Sequence, residues 1–347
     1  MKTAYKRWTA ALLVTVILLL GLCAAVVRIV DPFFRYHAPD PAGEIWFDQR
    51  AQSAGLLRSQ EYDTVLMGSS LAANFRAQWF DVYYNAKTVK ITFPNGGFGE
   101  FSTALDYAFS KQPVKRVIFG LDPNLLARDL ADAPSELPEY LYDDNPLNDG
   151  QYLLNKDVLL RSGYTVLNKL QGRTQPLTDA FMWDGNVYFS REIAIAAYER
   201  PDPTDDVTPA DAFLAAGRKN LSHVTDWLEQ HPDTEFLFFF SPYSVLFWDK
   251  MNRLGQTEAM LTLLEETVDT LLAYPNAQLH FYMADPELIT NLDAYADHIH
   301  MAGMMTYRMA QAMPQNKYLL TPENRTEVLD GLRTFVVHYD YESIFNS

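Results

Sequence analysis

Two short stretches hold the side chains from which a reactive centre could be assembled. The first is Gly68-Ser69-Ser70-Leu71. A Gly-x-Ser turn between a strand and a helix lifts a serine hydroxyl to the edge of a sheet. It also sets the amides of the helix start beside that hydroxyl, where they can stabilise an oxyanion. A serine in that place can equally do no more than cap the helix. The second stretch, near the C-terminus, is Ala296-Asp297-His298-Ile299-His300-Met301. Serine is a weak nucleophile until an imidazole takes its proton, and a carboxylate orients that imidazole. Asp297 and His300, three apart on one turn, can both face one pocket. His298 and His300, two apart, could instead share a metal if the segment is extended, although no third ligand cluster accompanies them. His37, His223, His231, His280 and His338 read as surface or packing residues.

These stretches need a scaffold, and the apolar pattern supplies one. Five short runs rich in β-formers occur at 62–68, 89–93, 115–122, 235–240 and 278–283. The third and fourth are almost wholly apolar, as strands covered on both faces must be. Helical spacing separates them. Phe101, Leu105, Ala108 and Phe109 mark one helix, and Leu261, Leu264, Val268 and Leu271 another. Thr208-Pro209-Ala210-Asp211 reads as a helix start ahead of Leu214, Gly217, Leu221, Val224 and Leu228. Strands alternating with helices predict an α/β fold: three layers, α/β/α, around a five-stranded, mostly parallel, flavodoxin-like sheet. Sites in such sheets lie at the C-terminal strand ends. The serine follows the first run and the Asp/His pair follows the last, so both can meet at one rim.

Residues 125–207 interrupt this rhythm with more chain than a crossover needs. They are rich in Pro, Asp and Asn and include Tyr140, Tyr142, Tyr152, Tyr164, Trp183, Tyr188 and Tyr198. They read either as an inserted lobe with its own core or as an aromatic lid over the site. The fourth run ends in Ser241-Pro242-Tyr243-Ser244 and continues to Trp248. This is either a core strand turning at proline or a pocket wall, with Tyr243 and Trp248 as the candidate substrate contacts.

The N-terminus differs in kind. Residues 8–27 are twenty without a charge, about 30 Å as a helix, which matches a hydrocarbon core. Lys2, Lys6 and Arg7 precede them, so the positive-inside rule keeps the N-terminus cytoplasmic and exports the rest. Cys23-Ala24-Ala25 is a passable cleavage site, but the run is long for a signal peptide, and one uncleaved transmembrane helix is expected. The organisation is then an anchor at 1–30, a membrane-proximal connector at 31–60, the α/β domain at 61–320 with its insertion at 125–207, and a C-terminal helical segment at 321–347.

Composition excludes several functions. The chain has 28 basic and 44 acidic residues; removing the four basic residues of 1–30 leaves 24 against 44, so the exported body carries −20. Nucleic acid is not an expected partner of so acidic a surface. A body of that sign is repelled by anionic polymers, which weights the substrate towards a neutral glycan or a polymer with cationic ester groups. The single cysteine, Cys23, excludes a disulfide framework and falls in the anchor.

The Gly68-Ser69-Ser70 turn and the Asp297-x-x-His300 pair, in this order and spacing over residues 60–310, resemble the SGNH/GDSL hydrolases. With the N-terminal anchor, the form is similar to the membrane-anchored D-alanyl-lipoteichoic-acid protein family and to exopolysaccharide O-acylation proteins. The resemblance implies Ser70 as nucleophile, His300 as base and Asp297 as the acid that orients it. It implies an oxyanion-hole glycine, either Gly96 or Gly97 in Asn95-Gly96-Gly97. The third block of the family, normally Gly-x-Asn-Asp, stands here as Gly120-Leu121-Asp122-Pro123-Asn124, so Asn124 is the candidate side-chain donor. Ser69 occupies a position where the wider superfamily often has Asp. What is implied is a serine acyl esterase or acyltransferase, without cofactor or metal, acting on O-acetyl or D-alanyl esters of a cell-surface polysaccharide or teichoic-acid-like polymer. A membrane-bound O-acyltransferase is the implied partner. Two other expectations stand beside this: a non-catalytic glycan-binding or assembly factor, and a metal-dependent phosphotransferase using Asp122, Asp297 and His300.

Overall fold

The computed structural model describes residues 2–129 and 135–346. Residues 130–134 of the 125–207 stretch, Met1 of the anchor and Ser347 of the C-terminal segment lie outside the described residues. Helices of eight residues or more are α1 (Lys2–Val30), α2 (Gln49–Ser59), α3 (Ala77–Tyr84), α4 (Phe98–Lys111) and α5 (Lys156–Leu170). They continue with α6 (Leu214–Gln230), α7 (Val245–Arg253), α8 (Thr257–Leu272), α9 (Gly303–Ala312) and α10 (Arg325–His338). The strands are β1 (Thr64–Gly68), β2 (Thr88–Thr92), β3 (Arg116–Leu121), β4 (Glu235–Phe240), β5 (Ala277–Phe281) and β6 (Leu319–Leu320).

The chain divides into two compact units, Met1–Gln60 with Leu137–Ala180, and Glu61–Glu136 with Phe181–Ser347. The 125–207 stretch therefore divides between them. In the first unit α1 is long and apolar enough to cross a membrane. It ends at Asp31, whose buried carboxylate accepts the amides of Arg35, Tyr36 and His37 and the hydroxyl of Tyr152. Arg35 is also buried and bonds Asp149 at 2.8 Å.

The second unit is built on the sheet, in the order β2-β1-β3-β4-β5-β6, with β1 to β5 parallel and β6 antiparallel to β5. The mostly parallel α/β architecture is as expected, but the sheet has six strands rather than five. β6 pairs only Leu319 and Leu320, too short for any period to reveal. Alternation along the strands shows why both faces need cover. Phe119 packs on Phe101 of α4 and Trp227 of α6, at 5.2 and 5.3 Å between ring centres. Phe239, one step along β4 from Phe238, packs instead on Phe75, at 5.3 Å. Helices accordingly pair in separate groups, α3 with α9 in one, and α6 with both α4 and α8 in the other. The expected start of α6 at Thr208 is displaced. The Thr208 amide is tied to the Gly255 carbonyl, residues 210–213 form a turn, and the helix begins at Leu214.

Candidate active site

Every residue of the candidate site belongs to the second unit. β1 ends in Gly68, at φ +156°, where an added Cβ would lie 2.8 Å from that of Ala72. Only glycine turns the chain here without displacing its neighbour. Ser69 and Ser70 come next in the chain. The expected regular helix does not begin directly after them. Ser70–Ala72 forms one 3₁₀ turn, and α3 starts only at Ala77. Buried Lys90 donates to the carbonyls of Ala73 and Phe75 at 2.7 and 2.8 Å, which holds the intervening loop.

The Asp/His pair sits on a clamped loop rather than a helix. An antiparallel bridge joins Tyr295 to Met301. Ser244, at the start of α7, donates its amide and hydroxyl to the His298 carbonyl, at 3.1 and 2.8 Å. Between these clamps Asp297 Oδ1 accepts the amides of Ile299 and His300 at 2.8 and 2.7 Å. Its Oδ2 lies 2.7 Å from His300 Nδ1. His300 Nε2 lies 2.9 Å from Ser70 Oγ. An ionised carboxylate can only accept, so Nδ1 carries the proton and Nε2 is the acceptor facing the serine. Burial pushes the Asp297 carboxyl up. The hydrogen bond and charge of His300, with the two amides, outweigh burial and hold it at about 2. The structure thus brings Ser70, His300 and Asp297 into one relay with the geometry of a nucleophile, a base and an orienting acid.

A second network lies behind the first. Asp122, buried at the end of β3, accepts the Ser69 hydroxyl at 3.1 Å, the Tyr243 hydroxyl, and the amides of Asn124 and Leu125. Burial nonetheless raises its carboxyl above the ordinary range, against the pull of these donors. Ser69 and Asp122 are two of the positions at which the chain differs from the pattern it resembles, and they bond to each other.

Several expectations change. Tyr243 and Trp248 are fully buried and do not line the cavity. Tyr243 stacks edge-on with Phe247, and Phe247 with Trp248, as core residues at the start of α7. Neither glycine amide is available for an oxyanion. Gly96 donates to the Phe93 carbonyl at 2.9 Å and Gly97 to the Glu100 carboxylate at 3.2 Å, the latter closing a cap on α4. Asn95 takes their place on the cavity wall, in the left-handed conformation at φ 54°. Its backbone amide, that of Ser70 and the side-chain amide of Asn124 have no partner among the described residues.

The cavity holds about 470 Å³ and is lined by Ser70, His300, Asn95 and Asn124, together with Arg128 and Lys250. Arg128 donates to Asn95 Oδ1 at 2.5 Å. Neither Arg128 nor Lys250 forms an ion pair among the described residues. Trp183 also belongs to the site. Its Nε1 donates to the Ser70 carbonyl at 2.9 Å, and its ring meets His300 edge-on at 5.3 Å. The amides of Trp183 and Asp184 are held by Asn74 Oδ1 at 3.0 and 3.2 Å.

Sequence reasoning assigns no role to Asn95, Trp183, Asn74 or Ser244, beyond counting Trp183 among the aromatics of the 125–207 stretch. An Asn before two glycines, suited to the left-handed conformation, is the only local signal for Asn95. Among the described residues no group of three or more His, Cys, Asp or Glu side chains is placed to hold a metal ion. Asp122 faces Ser69 and Tyr243 while Asp297 faces His300, so Asp122 is bonded apart from the other two residues of the metal reading.

No family model matches the chain, and no curated protein matches it. A solved structure described provisionally as a platelet activating factor from Streptococcus pneumonia is similar at a TM-score of 0.40 and 10% identity, over 77% of this chain and 89% of that one. A likeness at that level carries no argument about function.

Proposed function

We propose that the chain is a membrane-tethered serine acyl esterase or acyltransferase of the SGNH/GDSL kind, acting on acyl esters of a cell-surface polysaccharide or teichoic-acid-like polymer. The observation that carries this reading is the unbroken line from Asp297 through His300 to Ser70 at the wall of a cavity. Ser70 Oγ attacks the acyl carbonyl while His300 Nε2 takes its proton, and Asp297 steadies the resulting imidazolium. The oxygen that gains charge is met by the amides of Ser70 and Asn95 and by Asn124, in place of the glycine amide first expected. The imidazolium returns the proton to the departing alcohol. Water or a glycan hydroxyl, deprotonated by the same imidazole, then takes the acyl group from Ser70.

On this reading α1 tethers the chain to a membrane, with the N-terminus cytoplasmic and the main domain outside. A membrane-bound O-acyltransferase is the proposed partner. On the polymer, the cavity outweighs the bulk charge. A net −20 spread over the body is screened within about 10 Å at 0.1 M salt, whereas Lys250 and Arg128 stand in the cavity wall. They favour a polymer with carboxylate or phosphate groups over a neutral one.

The test is labelling by a fluorophosphonate probe together with polymer acylation in cells. Labelling is expected in the native chain and absent in Ser70→Ala, and cells carrying Ser70→Ala should show altered polymer acylation. Labelling that survives Ser70→Ala removes the nucleophile. Native acylation with Ser70→Ala, but not in cells lacking the protein, favours the non-catalytic assembly role instead.

A further inference from the structure

We propose that α5 is a second membrane element, with one face seated in the acyl chains at the end of α1 that leaves the bilayer. This rests on the reading of α1 as membrane-spanning. A helix in water buries its apolar face and exposes its polar one. α5 does the reverse. It buries Val158, Ser162, Thr165 and Asn168, which are mostly small or polar. It exposes Leu160 at 71%, Tyr164 at 48%, Leu167 at 54% and Leu170 at 82%. These four stand at spacings of four, three and three, so they share one face. Apolar residues outward and small residues at the helix contact is the arrangement lipid favours.

The neighbour of α5 fixes the depth. α5 packs along α1. Apart from Thr9, burial on α1 is confined to Cys23, Ala24, Val27 and Val30, one face of its last two turns. Three of these belong to the uncharged run of 8–27 that fills the hydrocarbon. A helix packed there stands at the hydrocarbon boundary, and an outward row of leucines at that level meets acyl chains. α5 cannot cross by itself. Its 15 residues span about 22 Å, short of the roughly 30 Å core. Of its four charges, Lys156 and Asp157 stand exposed at its first turn, where an interfacial helix meets the headgroups, and the other two have partners. Lys169 pairs with Glu44 at 2.7 Å, and Arg161 lies over the Phe47 ring at 5.0 Å. An interfacial helix lying beside a spanning one fits these constraints.

The test uses the full-length chain in phosphatidylcholine vesicles. Single cysteines replace Leu160, Leu167 or Leu170 in a Cys23→Ala background and carry an environment-sensitive fluorophore. Leu18→Cys reports on α1, and Val207→Cys, in the second unit, serves for comparison. Lipids bearing a nitroxide either high or deep on the acyl chain are the quenchers, the deep one for the label at 18, and aqueous iodide is the counter-probe. Labels at 160, 167 and 170 should lose most of their fluorescence to the lipid quencher and resist iodide. A lipid-quenched label at 18 with iodide-accessible labels on α5 overturns the inference and leaves the anchor standing. So does a shielded α5 that the lipid quencher does not reach, because a second copy of the chain then covers the face. An unquenched label at 18 removes the anchor reading, and this inference with it.

Discussion

Replacing Asp297 by Asn tests whether Ser70 and His300 work as a proton relay. Oδ1 of Asp297 already accepts two backbone amides, while Oδ2 alone serves the imidazole. Asparagine keeps one oxygen, and those two amides claim it. The amino group then faces His300 Nδ1, where it can only donate. Nδ1 becomes the acceptor, the ring proton moves to Nε2, and Nε2 can no longer accept from Ser70. The shape is kept and the tautomer is inverted. A loss on the order of 10⁴ in rate is expected, which is about 5 kcal/mol of barrier. Stability falls by less. A carboxyl drawn from 3.8 to about 2 reflects roughly 2 kcal/mol in favour of its charged form. Because the folded value lies below the unfolded one, that contribution is complete at pH 7 and fades as pH falls from about 4 towards 2. The variant should therefore be less stable at neutral pH and no less stable near pH 2. Initial rates on a short-chain nitrophenyl ester, the rate of fluorophosphonate labelling and denaturant midpoints at both pH values are the measurements. A rate within about tenfold of the native chain would refute the relay, since groups acting as a unit fail together.

Three other outcomes rest on the same geometry. Tyr243→Phe removes one donor from buried Asp122 and should cost about 2 kcal/mol by chemical denaturation. Since burial raises the Asp122 carboxyl, the chain loses stability as pH rises through that value. The cost of Tyr243→Phe should thus be larger at pH 8 than at pH 4, and an equal cost would show that the hydroxyl does not serve the carboxylate. Gly68→Ala forces a Cβ to 2.8 Å from Ala72 at a φ that side chains avoid. A loss of about 1–3 kcal/mol is expected from thermal melting, and an unchanged melt would mean that the turn relaxes freely. Lys250→Ala should raise KM for an anionic polymer by about tenfold, the order of one exchanged charge contact, and leave KM for a neutral nitrophenyl ester unchanged. An equal effect on both esters would take Lys250 out of substrate binding.

Much of the scaffold was legible because it follows from local periodicity. Of the runs that became β1 to β5, the third and fourth, almost wholly apolar, had to be covered on both faces, and strands alternating with helices had to lie parallel. Residues 8–27 needed only length and the absence of charge. Ser70, Asp297 and His300 could be picked out because the serine follows the first apolar run and the Asp/His pair follows the last, so that both can meet at one rim, although each stretch alone had another reading. What the sequence could not decide was whose atoms are already engaged. Gly96 and Gly97 look free until the Phe93 carbonyl and the Glu100 carboxylate take their amides. Tyr243 and Trp248 look like a pocket wall until α7 turns them into the core. Asp122 and Ser69, two departures from a motif when read singly, become one hydrogen bond across a separation of 53 positions. Trp183 meets Ser70 across 113 residues. Periodicity is a property of neighbours along the chain, so the sequence alone determines it. Hydrogen-bond satisfaction is a property of neighbours in space, and only the tertiary structure assigns each donor its acceptor.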